Sequence, residues 1–129
     1  MGRAEKRRKA SKGQSLVEFT LVLPVLLIIL AGLLDLGRLY YAYVAVTDAA
    51  AEGARYGAMY SQDTHGIKVR ASEASGGLVP IDEDQVTVVV SSGSIRVTVN
   101  YSVTILTPLV NAIVPGGVIP LQGVVVEDI

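Results

Sequence analysis

Cysteine and tryptophan are absent from this chain, histidine and phenylalanine occur once each, and aromatics make up 5 % of its 129 residues. Without cysteine there is no disulfide framework and no thiolate metal site. The redox compartment therefore leaves no mark on the sequence. One imidazole, His65, rules out motifs that need a histidine pair, and a lone His in a polar loop reads as solvated. There is no glycine-rich phosphate loop, and no spacing brings two carboxylates together for acid–base work. Asp82-Glu83-Asp84 offers oxygens of the kind that hold Ca²⁺, but the spacing fits no EF-hand loop and reads as a solvated turn. The expectation is a protein that is not an enzyme and carries no cofactor.

What the chain does have is apolar length in one place. Residues 16–34 are nineteen residues with a single charge, Glu18. As a helix they cover about 28 Å, close to the hydrocarbon thickness of a bilayer. A secretory signal peptide has a shorter apolar core and a small-residue cut after it; here Leu33-Leu34-Asp35 carries the pattern past Ala31-Gly32. An uncleaved span is expected, with Pro24 loosening or kinking it. The net charge of −1 hides an asymmetry. Arg3, Lys6, Arg7, Arg8, Lys9 and Lys12 against Glu5 give residues 1–12 a charge of +5, leaving −6 on the rest. Such a run can bind nucleic acid. Directly before an apolar span it reads instead as the cytoplasmic side of the membrane, so no nucleic-acid partner is expected.

Glu18 admits two readings. Ser15-Leu16-Val17-Glu18 fits a capping box, with Ser15 as N-cap. Alternatively the carboxylate, costly within lipid, meets a positive charge from another subunit. Here the residues carry a resemblance. A basic leader ending in Gly13, then four residues, then Glu18-Phe19 and an apolar helix resembles the processing site of type IV prepilins. With Leu23-Pro24, Asp35-Leu36-Gly37-Arg38, Ala49-Ala50 and Glu52-Gly53-Ala54-Arg55-Tyr56, the stretch over about residues 12–58 is similar to the TadE-like family, pseudopilins of the Tad/Flp pilus system. The resemblance implies a prepilin peptidase cut after Gly13. Gln14 then becomes the mature N-terminus, and Glu18, its fifth residue, pairs with the terminal amine of a neighbour. Many type IV pilins begin with Phe where this chain has Gln14, so N-methylation does not carry over.

Beyond the span, Asp35 and Arg38 stand at i, i+3, as do Glu52 and Arg55, a spacing that permits pairing on one helix face. Tyr40, Tyr41 and Tyr43 read as an interfacial aromatic belt. Ala42, Ala45, Ala49, Gly53 and Gly57 recur at three or four residues, a small-residue face on which a neighbouring backbone or the chain's own outer module can pack. The long helix is expected to end near Tyr60. Residues 61–66 are polar and break it, and a short helix follows from Ile67 to Ser75, with Ile67, Ala71, Ala74 and Leu78 in one stripe and Gly76-Gly77 as its stop. Period-two alternation then gives two strands. With Ser92-Gly93 as a two-residue turn, Val90 faces Ile95, Val88 faces Val97 and Val86 faces Val99. Thr107-Pro108 reads as N-cap and first residue of a short helix. Residues 118–127 read as a third strand, kept at an edge by Pro120.

The expected fold class is α+β and pilin-like: a leader over 1–13, a long helix over 14–60 with its span at 16–34, and a small three-stranded antiparallel module with short helices over 61–129. The expected setting is single-pass in the cytoplasmic (inner) membrane, N-terminus inside and C-terminus extracytoplasmic. The resemblance implies a minor pseudopilin in pilus assembly, whose partners are the prepilin peptidase, other pilins or pseudopilins, and the platform proteins of the inner membrane. The competing reading is an unprocessed bitopic protein whose outer module binds a ligand or envelope partner. A membrane-bound hydrolase has the least support.

Overall fold

Pro24 is the one proline between residues 16 and 59, and the helix continues through it without interruption. The structure, a computed structural model, describes the backbone of residues 2–77 and 79–129, and the side chains of 11–77 and 79–129. Helix α1 is Gly2–Met59, followed by α2 (Thr64–Glu73), β1 (Val86–Ser91), β2 (Ser94–Thr104), α3 (Pro108–Ile113) and β3 (Val118–Asp128). The fold is therefore α+β, a long apolar helix followed by a small antiparallel sheet and short helices. An 18-residue window of α1 reaches a mean hydropathy of 2.6 and none of it is buried. A core helix of a water-soluble domain would hide such a face. This one is long and apolar enough to cross a membrane.

Three local expectations change. The cap at Ser15 does not form, because α1 already runs through Lys12, Gly13 and Gln14. The N–H groups that a cap would satisfy lie about four turns into a continuing helix, where carbonyls of the preceding turn already accept them. Helix α2 starts three residues earlier than expected. Asp63 caps it, Oδ1 accepting the Gly66 N–H at 2.9 Å while Oδ2 accepts the Tyr56 hydroxyl at 2.8 Å. Of the stripe expected along α2, Ile67 and Ala71 are buried and Ala74 is exposed at the C-cap; Leu78 lies outside the described residues. His65, in the first turn, has Nδ1 3.3 Å from Glu83 and stays exposed.

The sheet order is β1-β2-β3, all antiparallel. The β1–β2 register pairs Val86 with Val99, Val88 with Val97 and Val90 with Ile95, as the alternation requires. Gly93 turns the hairpin at φ +90°, where a side chain would be strained. Pro120 sits opposite Ser102 on the outer strand β3. Ile95, Val97 and Val99 are fully buried, but Val90, on the same face, is 44 % exposed because it lies on the edge strand past the cover. That cover is the upper half of α1 (Val46, Ala49, Ala50, Ala54) with Ile67 and Ala71 of α2.

Candidate functional site: the long helix and the module packed on it

Small residues on α1 set how closely the module can approach. Ala42, Ala45 and Ala49 are buried in the core. A Cβ at Gly53 would lie 3.1 Å from Ala71 Cβ and 3.2 Å from Val97 Cγ1. One at Gly57 would collide with Ile95 Cδ1. Of the two partners open to this face, the structure seats the chain's own module there. A further small residue answers from the sheet. A Cβ at Gly123 would lie 2.7 Å from the Val46 carbonyl oxygen, so β3 lies almost against the helix backbone. An isolated glycine inside a strand pattern is a sign of such an approach; it was available in the sequence and points here.

Strand β2 runs down α1 towards the span. Ile95 meets Gly57, Val97 meets Gly53, and Arg38 reaches the Thr104 carbonyl at 3.4 Å. At the bottom, Asp35 holds the chain that follows. Its carboxylate accepts the Thr107 N–H at 2.7 Å, the Thr107 hydroxyl at 2.6 Å and the Leu106 N–H at 3.1 Å. Arg38 stands further off, 3.5 Å from Oδ1. Asp35 is only 5 % exposed, and an ionised carboxylate is tolerated there because its oxygens are satisfied. The Thr107 hydroxyl does most to hold its pKa below the ordinary aspartate value. Burial pulls the other way, and the Leu106 and Thr107 N–H groups and Arg38 add to the lowering. Thr107 is the N-cap residue of α3, yet makes no side-chain cap bond, since its hydroxyl is given to Asp35.

The other end of the apolar run is exposed among the described residues. Gly13, Gln14 and Glu18 lie on α1 and are exposed. A Cβ at Gly13 would meet nothing within 4 Å among the described residues. No described side chain forms an ion pair with Glu18, whereas Glu52 and Arg55 do approach, at 3.8 Å. The structure thus separates two groups of residues. One, from Asp35 to Gly57, is engaged within the chain. The other, from Gly13 to Glu18, faces outward.

Residues 13–55 match the family model for TadE-like protein. The match takes in the exposed Gly13–Glu18 end, the apolar run, Asp35 and most of the small-residue face. No curated protein and no solved structure matches the chain.

Proposed function

We propose, from the TadE-like character of residues 13–55, that this chain is a minor pseudopilin of a Tad/Flp-type pilus and that its work is assembly, not catalysis. Residues 16–34 anchor it in the cytoplasmic membrane, with the basic leader inside and the sheet module outside. A prepilin peptidase removes residues 1–13, Gln14 becomes the N-terminus, and Glu18 meets the amine of a neighbouring pilin or pseudopilin. That pairing would place two opposite charges together in lipid, where either alone is expensive. Platform proteins of the inner membrane are the further partners, and adhesion or secretion the pilus's use.

The observation that carries the proposal is the family match over Gly13, Glu18 and the span together. The surroundings of Gly13 support it: a glycine that no described residue crowds fits a site read by another protein. The test is the intact mass of the protein from its native membranes, with the host's pilus peptidase present. A mature chain lighter by residues 1–13 is expected. A chain that keeps them refutes processing and favours a bitopic binding module instead.

A further inference from the structure

We infer that the β2–β3 connection, residues 106–117, enters the outer interface of the bilayer and gives the module a second membrane contact beside the span. The inference rests on reading residues 16–34 as membrane-spanning. Three observations carry it. The first is placement. β2 runs down α1 from Gly57 to Arg38, and Asp35 grips Leu106 and Thr107, one residue above the apolar run's last leucine, Leu34. Strand β3 then climbs away, with Gly123 already back at Val46. The connection is therefore the part of the module nearest the span.

The second observation is chemical. Leu106, Leu109 and Ile113 are 67 %, 58 % and 82 % exposed. Between Arg96 and Glu127 the chain carries no charged side chain. The charges that flank this stretch, Arg96 and Glu127–Asp128, lie at the hairpin end of the sheet, where Ser94 pairs with Asp128. The β2–β3 limb of the module is thus charged at its far end and uncharged at its near end. A protein facing only water rarely exposes such a patch. The third is continuity: Leu33, Leu34 and Leu36 of α1, on either side of Asp35, are themselves exposed, so the patch extends a surface that lipid already covers. Lipid is the occupant that fits an uncharged patch held at the edge of the bilayer. Polar backbone left at the ends of α3 can hydrogen-bond in the hydrated headgroup layer, which a deeper position would forbid.

The absence of native cysteine makes the test direct. Ile113→Cys, Leu27→Cys and Ser91→Cys variants of the full chain are each labelled with an environment-sensitive fluorophore. They are then reconstituted sparsely in phosphatidylcholine–phosphatidylglycerol vesicles with or without lipid carrying a nitroxide high on its acyl chain. The expected result is blue-shifted emission and strong nitroxide quenching at 113 and 27, and neither at 91. If 27 is quenched while 113 behaves like 91, the second contact is overturned and the span stands. If 113 is blue-shifted without lipid quenching, and only as protein density rises, a second copy covers the patch and the lipid contact is wrong. If 27 also escapes quenching, the span reading fails and takes this inference with it.

Discussion

Gly123→Ala offers a test in which the sign of the effect decides. A methyl at this position would stand 2.7 Å from the Val46 carbonyl oxygen, 2.9 Å from its carbon and 3.0 Å from Val46 Cγ1. Ordinary contact begins near 3.4 Å, so helix and strand must part by about 0.7 Å. The obstacle is the backbone of a helix, which cannot swing aside as a side-chain tip would. A gap of that order forfeits a quarter to a half of each van der Waals well along the seam, and overpacking of this kind costs about 1–3 kcal/mol. Backbone strain does not enter, since Gly123 is not among the positive-φ glycines. If the close approach were absent, alanine would instead stabilise the strand by about 0.5–1 kcal/mol through lower chain entropy. Thermal unfolding of the full chain in detergent, followed by the near-ultraviolet circular dichroism of its tyrosines, distinguishes the two. A fall in Tm of roughly 5 °C or more is expected. An unchanged or higher Tm would refute the packing described for α1 and β3.

Other perturbations separate the remaining contacts. Val97, buried in the central strand against Gly53, should not tolerate charge: Val97→Asp should cost more than about 3 kcal/mol, while Thr98→Asp on the open face should cost much less; equal losses in the same melts would mean the buried face is misassigned. The Asp63 carboxyl lies below its ordinary value of 3.8, mainly through the Gly66 N–H and then the Tyr56 hydroxyl. A depressed folded pKa gives stability that is present above that value and lost as pH falls through the lower folded one. Asp63→Asn keeps a good N-cap but should flatten the acid limb of stability against pH, and an unaltered limb would count against the cap's ionic character. Glu18→Val should insert normally yet fail to cross-link to pilus partners, and partner capture at the wild-type level would show that the acid does not pair between subunits.

The sheet was legible because its first two strands alternate without a break and meet at a serine–glycine turn. A one-residue slip would have turned every valine outward, so only one register kept Ile95, Val97 and Val99 inside. Val90 shows the boundary of that reasoning: period two assigns a face, not the reach of the helix that covers it. The grip of Asp35 on Thr107 was not legible. The two are 72 residues apart, and local rules gave each a nearer partner, Arg38 for one and the α3 cap for the other. The start of α2 was obscured because Asp63 stands in a polar stretch that reads equally as a loop. The proposed roles of Gly13, Gln14 and Glu18 are contacts with other molecules, which a single chain does not contain; among the described residues all three are exposed.

The unbroken passage of α1 out of its apolar run and into the module's core makes a lever. Between Leu34 and Met59 the helix rises about 38 Å, and β2, β3 and α2 are fastened along that length by small residues with no joint between. A membrane helix tilts on average by roughly 20°, which at the end of such an arm moves the module's tip sideways by about 13 Å. Neighbouring copies anchored at different tilts would present their outer surfaces several side chains apart. With residues 16–34 spanning the membrane as proposed, rearrangement of the spans displaces whole modules, with their internal shape unchanged.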